Sequence, residues 1–190
     1  MKSSASPWLV IGYGNALRGD DSFGLEVLRL LATSNVSHLV ETIGAHQLVP
    51  ELAEPISRAD YVIFVDASVD LSPGKLQVSV LQDPNDGRLE DFSSLSHSCV
   101  PQSLLADAKA LYGHAPNAWL YAVGGGTFDL GEDLSPILEA MVPKVVRLIA
   151  EHIESSTVHL DRLRRKDDCL TKHAKSGLQS GNKLGKHPKG

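Results

Sequence analysis

The chain has 190 residues, 42% hydrophobic and 22% charged, which is the size of one domain and the composition of an ordinary globular protein. No run approaches the roughly 18 apolar residues of a membrane span, and two cysteines, Cys99 and Cys169, make neither a disulfide framework nor a four-sulfur zinc site alone. The net charge of −5 divides into −11 over residues 1–156 and +6 over 157–190, and an acidic body disfavours binding to a phosphate backbone.

The elements follow in chain order. Trp8–Gly12 is a near-continuous apolar run, too short for a signal-peptide core, and reads as a first strand buried on both faces. Phe23, Val27, Leu30 and Leu31 share one helical face, with Asp20 and Asp21 placed to cap the free amides ahead of it. A short strand is expected around His38–Thr42, then a short helix carrying Leu48, Leu52 and Ile56. Tyr61–Val65 is the clearest buried strand, ending at Asp66, and Leu76–Leu81 alternates like a half-exposed edge strand. Pro101 suits the first turn of a helix running to about Leu111. Trp119–Val123 is a further strand, closed by Gly124-Gly125-Gly126, and the apolar positions from Ile137 to Ile149 mark a long amphipathic helix that ends near Ile153. This alternation predicts a three-layer αβα sandwich around a mostly parallel sheet. Residues 1–156 form the single domain. Residues 157–190, rich in Lys, Gly, Ser and His, are expected to be a disordered basic tail that buries too little apolar surface to offset its ordering entropy.

Ligands of such folds bind beyond the carboxyl ends of the strands, so those loops hold the candidate residues. After the first strand comes Gly12-Tyr13-Gly14-Asn15-Ala16-Leu17-Arg18-Gly19-Asp20-Asp21-Ser22-Phe23-Gly24. A nucleotide-binding reading would use Gly12, Gly14 and Asn15. It is disfavoured because Leu17 stands where the third glycine belongs, and because two carboxylates at the helix start would repel a pyrophosphate. An acidic pair there suits a cation or a protonatable group. Asp66 would be held rigidly at a strand end and point into the crevice, although a turn-forming aspartate fits the position equally well. His97, in Ser96-His97-Ser98-Cys99-Val100-Pro101, precedes a predicted helix, a place where a lone histidine is more often a surface or capping residue. Asp21, Asp66 and His97 would together supply two oxygens and one imidazole, a set that suits nickel, zinc or iron. A cysteine nucleophile at Cys99 is disfavoured, since sequence neighbours such as His97 seldom place base and nucleophile correctly.

These residues resemble the hydrogenase maturation endopeptidases, which trim the carboxyl terminus of the nickel–iron hydrogenase large-subunit precursor. The motif appears as Gly12-x-Gly14-Asn15-x-Leu17-x-Gly19-Asp20-Asp21-Ser22-x-Gly24, followed by Val65-Asp66-Ala67 and Ser96-His97-x-x-x-Pro101. The resemblance covers roughly residues 7–153 and departs from the pattern at Ser22, where glycine is usual, and after the second strand, where the family often carries an aspartate with glycines and this chain has Gly44-Ala45-His46-Gln47. It implies an endopeptidase of aspartic type, with Asp21, Asp66 and His97 as both metal-contacting and catalytic residues. It further implies that the nickel is supplied by the substrate and that the enzyme holds no tight cofactor of its own. Asn15, His46 and Gln47 are implied to handle substrate, His46 fitting equally a fourth group near the metal and a cap of the Gln47–Ile56 helix, and the His46-Gln47-Leu48 form is similar to the subgroup serving soluble, cytoplasmic hydrogenases. Asp20, Asp21 and Asp66 would make the crevice receptive to a cation. A cytoplasmic monomer is expected, with the precursor as partner and neither nucleic acid nor membrane. The alternative is a non-enzymatic nickel carrier or hydrogenase assembly chaperone using the same three residues.

Overall fold

A computed structural model of the chain describes residues 7–81, 99–131 and 133–179, with backbone alone for 99–100 and 158–179. Five strands form one sheet: β1 (Trp8–Tyr13), β2 (Val40–Ala45), β3 (Tyr61–Ser68), β4 (Leu76–Leu81) and β5 (Asn117–Gly124), in the order β2-β1-β3-β5-β4. The first four in that order are mutually parallel, and β4 runs antiparallel to β5 along one edge. The central strands β1 and β3 are the two continuous apolar runs, as burial on both faces requires. Both edge strands are half exposed. The expected strand at His38–Thr42 lies a little later, because Ser37–Leu39 forms a turn of 3-10 helix before β2 begins.

The helices are α1 (Phe23–Leu31), α2 (Ala53–Arg58), α3 (Cys99–Tyr112) and α4 (Pro136–Gln179). Side-chain alternation assigns them to two layers. Leu9, Ile11 and Tyr13 of β1 join Val62 and Phe64 of β3 in a core covered by α2 and α3. The opposite face of β1, at Gly12, abuts α1 so closely that a Cβ on Gly12 would strike the Gly24 carbonyl and Leu28. The part of α4 through Ala150 lies beside α1, the two sharing a groove that includes Leu30, Pro143 and Val146. At the amino-terminal end of the strands Trp8 stacks on Tyr61 with ring centroids 4.6 Å apart, and on Trp119 at 5.9 Å. The result is the expected three-layer α/β fold.

The chain divides into two compact units, Met1–Ala150 and Glu151–Gly190. The division falls inside α4, six residues ahead of the boundary expected at 156. In the second unit α4 continues as helix to Gln179, well past Ile153 where the apolar periodicity ends. The physical reason is propensity. Between Pro143 and Gly177 the chain contains no glycine or proline, and it is rich in Leu, Arg, Lys, Glu and Ala, all good helix formers. No helix of the described residues is long and apolar enough to cross a membrane.

Candidate active site

The carboxyl ends of β1, β3 and β5 carry the loops predicted to hold the chemistry. Gly14 adopts φ +138, and a side chain there would run into the Asp21 backbone carbonyl. Gly24 lies against the Val65 carbonyl and the Tyr13 backbone. The glycines of the motif thus let the start of α1 press onto the ends of β1 and β3, with no room for a Cβ. A phosphate cradle is not their role here. Asn15 completes the turn, since its side-chain Oδ1 accepts from the Leu17 N–H at 2.9 Å while its own N–H donates to Asp21 Oδ2 at 2.8 Å.

The two members of the acidic pair have different fates. Asp21 is half-buried and faces a cleft of about 340 Å3 lined by Tyr13, Gly14, His46, Gln47, Leu48 and Asp66. Asp20 is fully buried, and its carboxylate accepts three backbone N–H bonds, from Gly126 at 2.7 Å, Thr127 at 3.0 Å and Ser135 at 2.7 Å. Burial opposes its charge, but those N–H donors outweigh burial and hold the carboxyl below the usual aspartate range. Neither acid caps α1 through its side chain, contrary to the expected capping role. Asp20 is also absent from the cleft that it was expected to make receptive to cations. Its charge ties the loop after β5 and the start of α4 to the loop after β1. Sequence reasoning missed this role, because its partners lie 106 to 115 residues away.

Asp66 lies two residues inside β3 rather than at its end, because β5 continues to pair with β3 through Ser68. Its side chain is 4% exposed. Burial raises the pKa to about 7, with Asp21 adding a further upward push, partly offset by hydrogen bonding from Tyr13 and the Ala67 backbone. Tyr13 was an unassigned position of the motif. Its hydroxyl is buried within hydrogen-bonding range of the Asp66 carboxyl, though not aligned for a full bond. Burial, then the charge of Asp66, moves the phenol far above its ordinary pKa, so Tyr13 stays protonated. The signal for it was available: alternation along β1 points Tyr13 to the same face as Ile11, one step beyond the pairing of Gly12 with Val65.

Asp21, Asp66, His46 and Gln47 therefore meet in one cleft, while Asn15 acts on its wall. His97 lies outside the described residues, as do residues 82–98 generally. Among the described residues no group of three His, Cys, Asp or Glu side chains is placed to hold a metal. Two carboxylates, one of them titrating near neutrality, can share a proton, polarise a water or contribute two oxygens to a cation.

No family model matches the chain. A protein of Methanocaldococcus jannaschii, provisionally named a hydrogenase maturation protease, is 32% identical over 145 residues, covering 73% of this chain and 88% of its own. Among solved structures, the hydrogenase 2 maturation peptidase of a Thaumarchaeota archaeon is 28% identical with a TM-score of 0.57, over 77% of this chain and 97% of its own. The nickel–iron hydrogenase maturation protease HycI of Thermococcus kodakarensis is 25% identical with a TM-score of 0.60, over 80% and 95%. The Escherichia coli hydrogenase maturating endopeptidase HybD shares the fold, with a TM-score of 0.61 at 21% identity over 78% and 93%. By this relationship in sequence and fold, the chain belongs to the hydrogenase maturation protease family.

Proposed function

We propose that the protein removes the carboxyl-terminal extension of a nickel–iron hydrogenase large-subunit precursor, and that Asp21, Asp66 and His97 read the nickel already installed in that substrate. The observation that carries this reading is the pairing of Asp21 with a buried, near-neutral Asp66 in one cleft at the strand ends. The cation-receptive pair is Asp21 and Asp66; Asp20 is committed elsewhere. Burial and the neighbouring Asp21 charge favour the protonated form of Asp66, leaving it part ionised near neutral pH, and a cation entering the cleft would offset both effects and favour the carboxylate. Two carboxylates and an imidazole leave the metal's shell incomplete, so donors from the large subunit itself must finish it. On this reading the enzyme stores no metal and recognises only loaded substrate.

The aspartic-type chemistry is assigned to Asp66. A carboxyl titrating near 7 is suited to take a proton from water at neutral pH. The water oxygen bonds to the scissile carbonyl carbon, the C–N bond breaks, and the leaving amine departs with the proton that Asp66 returns. Asn15 would serve by fixing Asp21, and His46 and Gln47 by holding the precursor chain along the cleft. The test is incubation with nickel-loaded and nickel-free precursor followed by mass measurement. Loss of a carboxyl-terminal peptide from the loaded form alone is the expected result. Unchanged mass with nickel transferred would establish the carrier or chaperone instead.

A further inference from the structure

Tyr13 carries an unused donor beside the candidate site. Its ring belongs to the core covered by α2 and α3, with Leu9, Ile11 and Phe64, and the residue also lines the cleft that holds Asp21 and Asp66. Tyr13 is only 8% exposed. Its hydroxyl is buried, and among the described residues no acceptor stands in line with it, although the Asp66 carboxyl lies within reach. A phenol keeps its proton at neutral pH, so the group is a donor. Burying a donor without an acceptor costs free energy, and packing does not account for it, because phenylalanine would fill the same slot with no hydroxyl to desolvate. The position is also fixed. Tyr13 ends β1 in register with Ala45, the Gly14 N–H donates to the Ala45 carbonyl at 3.0 Å, and Gly24 lies against the Tyr13 backbone from the side of α1.

We propose that Tyr13 is a positioning residue for the cut: its hydroxyl closes on one oxygen of Asp66 when nickel-loaded precursor enters, and so turns the other oxygen toward the metal and the water. The proposal rests on the reading of Asp21 and Asp66 given above and adds to it the group that aims Asp66. The two carboxylates differ in how they are held. Asp21 has one oxygen fixed by the Asn15 N–H at 2.8 Å, which leaves the other for the cleft. Asp66 accepts from the Ala67 backbone, and a carboxylate has lone pairs for further donors. Tyr13 is the donor that the sheet places there. Tyr13 closes β1 and Asp66 lies inside β3, both one step beyond the pairing of Gly12 with Val65, so strands rather than loops set their separation. The terminal torsion of an aspartate is soft, and a carboxylate drawn toward a cation can rotate to bring an oxygen onto the waiting hydroxyl. An outer donor of this kind fixes the orientation of a metal-facing carboxylate, and losing it typically costs about 10- to 100-fold in activity.

The experiment uses the full-length protein and a nickel-loaded large-subunit precursor, with cleavage followed by mass against time. Tyr13→Phe keeps the ring and removes the hydroxyl alone. It should lower kcat about 10- to 100-fold with KM and circular dichroism unchanged. Its urea midpoint should equal or exceed that of wild type, since no bond of the free protein is lost. Tyr13→Leu, which also opens the core, should lower the midpoint, and so separates the packing of the ring from the task of the hydroxyl. A kcat for Tyr13→Phe equal to that of wild type would overturn the proposal. So would a loss confined to KM, or one accompanied by a lower urea midpoint, since the hydroxyl would then be a binding or a structural group. If wild-type enzyme cuts no loaded precursor, the endopeptidase reading fails and this role with it; if wild type and Tyr13→Phe cut equally well, only this role fails.

Discussion

Asp66→Asn should stabilise the protein at pH 8 while leaving its stability near pH 4 almost unchanged. Folding raises the Asp66 pKa from 3.8 to about 7. Each pKa unit corresponds to 1.36 kcal/mol, so holding this carboxylate ionised in the fold costs on the order of 4 kcal/mol relative to the unfolded chain. The sign follows from proton counting. Below about pH 4 both states carry the proton and no penalty exists. Between about 4 and 7 the folded state alone keeps it, so stability falls as pH rises, and above about 7 the whole penalty is present. Asparagine is uncharged throughout, nearly isosteric with the protonated acid, and can still accept from the Ala67 backbone. Urea unfolding followed by the fluorescence of Trp8 and Trp119 at pH 4 and pH 8 measures the difference directly. The expected shift of the variant over wild type is about 4 kcal/mol at pH 8, or roughly 10 °C in Tm for a chain of this size, and near zero at pH 4. A variant no more stable at pH 8, or equally shifted at both pH values, would refute the claim that buried Asp66 ionises at a cost.

Against that gain in stability, Asp21→Asn, Asp66→Asn and His97→Ala are each expected to abolish precursor processing with circular dichroism unchanged, scored by mass of the large subunit. Asp20→Ala strands three buried N–H groups and should cost about 2–4 kcal/mol in urea unfolding. Because its folded pKa is depressed, the contribution of Asp20 is complete above the ordinary aspartate range and is lost as pH falls below it, so acid unfolding should become less steep in that variant. Gly24→Ala places a methyl group on the Val65 carbonyl and Tyr13 backbone and should destabilise by about 2–3 kcal/mol, measured by thermal melting. Truncation after Thr157 should move Tm by less than about 5 °C and leave processing intact, since Ile153 is the last buried side chain among those described; a larger drop would show that the removed helix is packed.

What the sequence discloses depends on the range of the interactions involved. Strands β1 and β3 are legible because burial on both faces leaves an unbroken apolar run, and β4 because an edge leaves alternation. The site loop is legible because glycines at a close approach and acids at a strand end are local necessities. Strand β2 is displaced from its expected position because an exposed edge strand imposes so weak a pattern. The helix beyond Ile153 carries no apolar stripe in its sequence, so a search for one does not detect it. The role of Asp20 was illegible for a different reason. Nothing within a hundred residues of it announces its partners, and Asp20 and Asp21 read alike until the chain has folded. Tyr13 lay between the two cases, recoverable from register once β1 and β3 are known to be neighbours.

The bonds of Asp20 also set an order of assembly. Its three partners, Gly126, Thr127 and Ser135, come late in the chain, and closing loops of that span is entropically slow. On a ribosome, residues 1–125 can be complete while Asp20 is still a solvated carboxylate beside Asp21, so the loop carrying Asp21 is not yet fixed. Only when Ser135 has emerged can all three bonds form, and the loop before α1 then takes its final shape. The cleft that Asp21 lines therefore takes its final shape only after Ser135 has been made.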